Sequence, residues 1–432
     1  MKMIAILIVA FSYAPQRMWG QSGSWGDYQE NYTGSGTTIT IANAGQLAKL
    51  AAEVNGGTDF STVTIELSGN IDLSAHYWVP IGTALHHFNG TFNGGSYTVS
   101  GLNINDGTLD NAGLFGYASG ATISNLTVSA GSIAADENVG ILAGSLISSG
   151  ITNCSVSATS ISGSRNVSAL VGYRDKITAT DCTVTGTTPV SLANSSDNGT
   201  ALSGCQNKPC DVTLTGRTLY KDGKWNTICL PFDYDPAYGV LAGDGVEIYT
   251  LDSAGIAGTR LNLIFDDNVA GNGIMRAGVP YIIKWNNTGA YLTNPKFQGV
   301  VPRITAPVDY DNGASADARV RFRGTFSQQA LAAQDQSILF MGGNNTLYYP
   351  GGSGVNIGAC RAYFQTGSGA PAPQLDSFDF SFGEDETTGI IEMEEAGEKM
   401  SDEWYDLNGR KLSVKPAQKG IYIINGKKGV IQ

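Results

Sequence analysis

The chain is 432 residues long, 42% hydrophobic and only 15% charged, with a formal net charge of −12 and a pI near 4.7. Binding phosphates needs a basic surface, so this balance argues against a nucleic-acid partner and disfavours anionic membranes. Fifty-six glycines with no Gly-X-Y period point away from collagen and toward many short strands and tight turns, in a chain with room for two or three domains.

At the N-terminus, Lys2 precedes an apolar run from Met3 to Phe11 and a short stretch ending in Met18-Trp-Gly20. Residues 1–20 are read as a signal peptide, with a buried N-terminal strand as the alternative; the run is too short to span a bilayer. No cysteine follows it, so lipid attachment at the new N-terminus is not expected. Nothing else in the chain reads as an integral membrane segment.

A repeat dominates residues 111–190. Asn111-Ala-Gly-Leu-Phe-Gly-Tyr117, Asn138-Val-Gly-Ile-Leu-Ala-Gly144 and Asn166-Val-Ser-Ala-Leu-Val-Gly-Tyr173 place Gly116, Gly144 and Gly172 at intervals of 28 residues (144 − 116 and 172 − 144). Behind them, Ser124-Asn-Leu-Thr-Val128, Thr152-Asn-Cys-Ser-Val156 and Thr180-Asp-Cys-Thr-Val184 keep the same offset. A fixed period of this length marks one unit stacked on copies of itself. Within each unit apolar and polar residues alternate, the signature of a strand with one buried face, while frequent Gly and Ser leave no room for a repeated helix. Each unit is therefore one coil of a β-helix. Leu126, Cys154 and Cys182 form an inward column, with Asn125, Asn153 and Asp181 as a polar ladder at the bend.

These blocks resemble GLUG motifs, short repeats of bacterial secreted and surface proteins that include adhesins and some large peptidases. The resemblance extends to the lead-in: Ile41-Ala-Asn-Ala-Gly-Gln-Leu-Ala-Lys-Leu-Ala51, Gly69-Asn-Ile-Asp-Leu73, Trp78-Val-Pro-Ile-Gly82 and the run from Phe88 to Ile104 follow the family's order. It covers roughly residues 38 to 190 and implies a β-solenoid; the motif is structural and transfers no catalytic residue. Ser168 stands where the family has glycine. Residues 21–204 are assigned to the solenoid with its lead-in cap.

Near residue 205 the repeats stop. Strands are expected at Trp225–Phe232, Gly278–Trp285, Val320–Phe326, Ser337–Met341 and Ala359–Phe364, with Gly342-Gly-Asn-Asn345 as a hairpin turn. Residues 205–383 read as a β-sandwich-like domain. The segment Lys221-Asp-Gly-Lys-Trp-Asn-Thr-Ile-Cys-Leu-Pro-Phe232 is similar to downstream domains of exported proteins from Gram-negative anaerobes. Residues 384–403, with Glu384, Asp385, Glu386, Glu392, Glu394, Glu395 and Glu398, are read as a solvated, partly helical acidic linker. Calcium is the competing reading there, but the Asp-x-Asp-x-Asp-Gly order is missing. Residues 404–432 form a small C-terminal β module that resembles the end of a type IX secretion sorting domain. The fold class is thus all-β: a GLUG-type β-helix, a β-sandwich-like domain and a small β module.

Among six cysteines, Cys205 and Cys210 flank a short proline-containing loop and are the disulfide candidates; a metal role is weaker, since no second ligand pair follows at zinc spacing. Cys154, Cys182, Cys229 and Cys360 read as small core residues. His76, His86 and His87 form no zinc motif, and adjacent histidines on a strand point to opposite faces. Arg174-Asp-Lys176 reads as a solvated corner. No catalytic, cofactor-binding or metal-ligating residue is nominated, and no cofactor is expected. The expectation is a non-enzymatic secreted or outer-surface adhesin of a Gram-negative bacterium, recognising an extracellular polysaccharide or a host glycoprotein. A β-helix polysaccharide lyase or glycoside hydrolase and a structural spacer are the alternatives; the enzyme would need at least two carboxylates in a groove.

Overall fold

The structure, a computed structural model, describes residues 23–382 apart from 244, 267–268, 270–272, 287–288, 343–344 and 368–374, together with the backbone of short strands between 386 and 431. The expected signal peptide lies outside the described residues. The protein is mostly β, 49% strand and 7% helix, and opens with a β-solenoid of about five turns.

The solenoid follows from the repeat. Its main parallel sheet runs through Thr38–Ile41, Thr64–Leu67, Thr91–Asn93, Thr122–Ala134, Gly150–Ser162 and Thr178–Thr180. A second parallel sheet stacks Phe115–Ser119, Ala143–Ile147 and Val171–Asp175, and a third pairs Glu137–Val139 with Arg165–Val167. The pairing register is the sequence period itself: Ile123 lies opposite Ile151, Leu126 opposite Cys154 and Val128 opposite Val156. All six are at most 1% exposed, as period-2 alternation requires when one face is buried. Phe88, Phe92 and Phe115 pack inside with ring centroids 5.2 to 6.5 Å apart, each burial contributing about 1.5–3 kcal/mol.

Polar ladders mark the bends. Asn153 donates to Asn125 (3.0 Å) and Asn125 to Asn93 (3.1 Å). A second ladder runs from Asn166 to Asn138 (2.6 Å) and on to Asn111 (3.1 Å). Asn111, Asn125, Asn138, Asn153, Asn166 and Asp181 all hold φ between 52° and 63°, the left-handed region that Asn and Asp tolerate best. The recurring glycines serve these bends. A Cβ on Gly144 would lie 2.3 Å from the Asn111 carbonyl carbon, and one on Gly172 would lie 2.5 Å from that of Asn138.

A helix, Ala44–Asn55, was not expected within the lead-in. Asn43 caps it by accepting from Gln46 N–H, and Leu47, Leu50, Ala51 and Val54 sink into the solenoid core.

Beyond the last coil a new core begins, built on Leu192, Leu202, Val212, Phe232, Trp285 and Phe297. Two sheets then face each other. One contains Asn226–Cys229, Pro280–Lys284, Glu247–Ala257, Arg260–Asp266 and Ser377–Phe382; the other contains Tyr310–Asp311, Val320–Thr325, Arg361–Thr366, Ile338–Met341 and Leu347–Tyr349. Phe265, Phe322, Phe364, Phe378 and Phe380 fill the space between them. Each of the five expected strand runs contains a strand, and the expected hairpin is present, with Phe340 opposite Tyr348 and Gly342 N–H donating to Thr346 (3.0 Å). In the acidic stretch the described segments are extended, not helical: Glu386–Thr387 and Ile391–Glu392 pair with Ser377–Phe382, and Glu394–Glu395 with Leu347–Tyr349. The C-terminal module is a four-stranded antiparallel sheet in the order Lys411–Leu412, Trp404–Tyr405, Gly420–Ile424, Lys427–Ile431.

Candidate functional site

Two places concentrate side chains with something to do. The first is an aromatic pair on the second β region. Thr218–Lys221 runs antiparallel to Ala290–Thr293, with Tyr220 directly opposite Tyr291. Alternation sends Leu219 into the core at 0% exposure and leaves Tyr220 and Tyr291 outside, 56% and 68% exposed. The Tyr220 N–H and C=O are both taken by the Asn226 side-chain amide, each at 2.9 Å. The tyrosine pair therefore occupies a non-hydrogen-bonded position of the ladder, where opposing side chains come closest. Two exposed phenol side chains at opposed positions of one ladder, each with a polar tip, offer apolar and hydrogen-bonding surface to solvent. The sequence held no sign of it beyond the tyrosines themselves, because their facing depends on strand register.

The second place is the junction between the last coil and the second core. Asp233, buried, accepts from Val167 N–H of the solenoid (3.1 Å), from Ala277 N–H (2.8 Å) and from Arg303 Nη2 (2.9 Å). Two residues on, Asp235 pairs with Arg174 Nε at 3.1 Å and accepts from Ala237 N–H. The Arg174 guanidinium lies 4.9 Å from the ring centroid of Tyr238, whose hydroxyl donates to the Ile177 carbonyl. Arg303 also donates to the Gly163 and Ser164 carbonyls, and Arg276 Nη1 donates to Asn166 Oδ1 (2.8 Å), ending the second Asn ladder. Burial pushes the Asp235 carboxyl up, opposed by Arg174, and burial pushes Tyr234 up to about 12.

Arg174, Asp233, Tyr234 and Asp235 wall a cavity of about 230 Å³ that Ser168, Tyr238 and Lys296 also line. Arg174 is thus no solvated corner: it turns into the junction, while Lys176 is the exposed turn residue, with φ 51°. Ser168 is accommodated because it faces this cavity. At the equivalent Gly140, two of the three nearest atoms to an added Cβ belong to the next coil, at Val171 and Gly172, and no further coil covers Ser168. Asp233 and Asp235 are both engaged by structural donors.

The disulfide candidates are brought together. Cys205 ends the helix Gly199–Cys205, Cys210 begins the strand Cys210–Thr215, both are buried, and both are thiols here. His86 Nδ1 lies 2.7 Å from the Asn55 carbonyl oxygen, and His76 stacks on Tyr28 at 3.8 Å. Among the described residues, no three His, Cys, Asp or Glu side chains gather as metal ligands would, and no helix is long and apolar enough to cross a membrane.

Fold and junction together define a β-solenoid protein with its last coil joined by charged and polar contacts to a second β region. In comparisons with family models, curated proteins and solved structures, the chain matches none.

Proposed function

We propose that this is a non-enzymatic binding protein of the secreted or outer-surface kind, in which a GLUG-type solenoid carries a glycan-recognising β region. The observation that carries the reading is the exposed cross-strand pair Tyr220–Tyr291: sugar rings present apolar faces and hydroxyl edges that suit exposed phenols. The partner is an extracellular polysaccharide or the glycans of a host glycoprotein. Residues 1–20 as a signal peptide and residues 404–432 as a type IX-like sorting module would deliver it to the surface of a Gram-negative cell. The buried Asp233 and Asp235 contacts support the scaffold role of the solenoid, because they spend both carboxylates on joining it to the second region. A lyase or hydrolase would leave such a pair open to substrate.

The test is retention of the purified protein on immobilised polysaccharides and mucins, scored with release of oligosaccharide. Retention without release is expected, and replacing both tyrosines by Ala should weaken it by about fivefold or more, at roughly 0.5–1.5 kcal/mol per aromatic contact. Released fragments would establish an enzyme instead. Undiminished retention of a folded double variant would remove the platform from the account.

A further inference from the structure

The chain has six cysteines, and the structure arranges them in twos. Cys154 and Cys182 are equivalent positions in successive coils: the pairs Thr152–Thr180 and Ser155–Thr183 flank them. Their Cα atoms are therefore separated by one strand spacing, about 4.8 Å, within the span of a disulfide. In-register parallel strands hold Cβ vectors poorly for bridging, but here the ladder lapses. The last coil breaks into Thr178–Thr180 and Thr183–Val184, and Cys182 sits in the gap. Both thiols donate only to backbone carbonyls, Cys154 to Ile123 and Thr152 and Cys182 to Thr180.

Cys205 and Cys210 face each other across their turn, with Cys210 Sγ 3.9 Å from the Cys205 carbonyl oxygen. Cys229 and Cys360 are both buried, and Cys229 N–H donates to the Cys360 carbonyl at 3.4 Å. Cys229 ends a strand of one sandwich sheet, and Cys360 directly precedes Arg361–Thr366 of the other. Cys360 holds φ 54°, an uncommon backbone for a residue with a Cβ. No cysteine is left without a neighbouring cysteine.

We propose that the mature protein is a three-disulfide protein: Cys154–Cys182 staples the last coil, Cys205–Cys210 closes the turn into the second core, and Cys229–Cys360 ties the two sandwich sheets. The proposal rests on the export reading, since an oxidising compartment must supply the oxidant. That oxidant is an external disulfide, either oxidised glutathione or a protein disulfide. For the first pair, the Cys182 thiolate attacks one sulfur of the external disulfide and expels a thiolate. The deprotonated Cys154 then attacks Cys182 Sγ of the mixed disulfide and expels the second. Two protein thiols become one disulfide, the external disulfide becomes two thiols, and the electron pair passes to it. Cys182 is the entry point because it is half-buried while Cys154 is 1% exposed. The neighbouring Cys154 thiol also holds the Cys182 thiol below its ordinary value.

Purified, reduced full-length protein is exposed to oxidised glutathione, alkylated and mapped by mass spectrometry without reduction. Three linked peptide pairs are expected, each lighter by two hydrogens, with unfolding still cooperative. Cys182→Ser should delete the first link and leave the other two. Any other partnership, or alkylated thiols in protein that remains folded under the oxidant, overturns the proposal. A second sample, acid-trapped from the cell envelope or medium of the producing bacterium, separates the two premises. Bridges formed with glutathione but missing there would leave the pairing intact and sink the export reading.

Discussion

Gly144 shows how one residue fixes a coil. Its Cα hydrogen faces the Asn111 turn, and the atoms nearest to an added Cβ, at 2.3 to 2.5 Å, are all backbone. Backbone cannot swing aside as a side chain would, so Gly144→Ala should destabilise the solenoid by about 2–4 kcal/mol, read as a fall in the denaturant midpoint. Ser168→Gly, facing the junction cavity, should stay within about 1 kcal/mol. Asp235 offers a pH test at the same scale. Burial raises its folded-state pKa above the unfolded value, so its contribution to stability is fully present below the unfolded pKa and is lost as pH rises through the folded one. Asp235→Asn keeps an acceptor for Ala237 N–H and cannot titrate. The melting temperature of the wild type relative to this variant should therefore increase as pH falls from 7 toward 4. A flat difference would mean that Asp235 is not held in a desolvated site.

The elements differ in how far their sequence announced them. Coil strands were legible because register in a parallel stack equals the repeat period: once Leu126 and Cys154 align, the bond between Asn125 and Asn153 follows, while at Asp181 and Cys182 the strand pairing lapses. The helix Ala44–Asn55 was legible in principle, since Asn43 is a good N-cap and Leu47, Leu50, Ala51 and Val54 recur at helical spacing; reading the segment only as a lead-in obscured it. The facing of Tyr220 and Tyr291 and the burial of Arg174 were beyond sequence, because each depends on a partner 71 or 61 residues away (291 − 220 and 235 − 174). The second Asn ladder is the element most open to test. Asn138 donates to Asn111 and accepts from Asn166, and it holds φ 55°. Asn138→Ala would strip both bonds and force a Cβ-bearing residue without a polar side chain into the left-handed region. A loss of about 2–3 kcal/mol is expected, with Asn138→Gly recovering the backbone share but not the hydrogen bonds.

At the scale of the whole molecule, the solenoid and the second β region meet through groups taken out of water. Asp233 is the hub: it bonds the solenoid backbone at Val167, its own region at Ala277, and Arg303, which reaches back to Gly163 and Ser164. Removing one partner of such a network leaves the other charge buried and uncompensated, a penalty of about 3–5 kcal/mol. Asp233→Ala should therefore loosen the junction without breaking either core, since the apolar clusters on its two sides share little. In calorimetry, a single unfolding transition would split in two, and limited proteolysis would cut between Val184 and Leu192. One sharp transition at a lower temperature would show instead that the two cores fold as one cooperative unit. The outcome bears directly on the proposed binding role. If the junction is stiff, the tyrosine platform is held at a fixed angle to the solenoid, and loosening it should weaken retention on a multivalent polysaccharide more than binding of a short oligosaccharide, because only the former needs several copies to engage together.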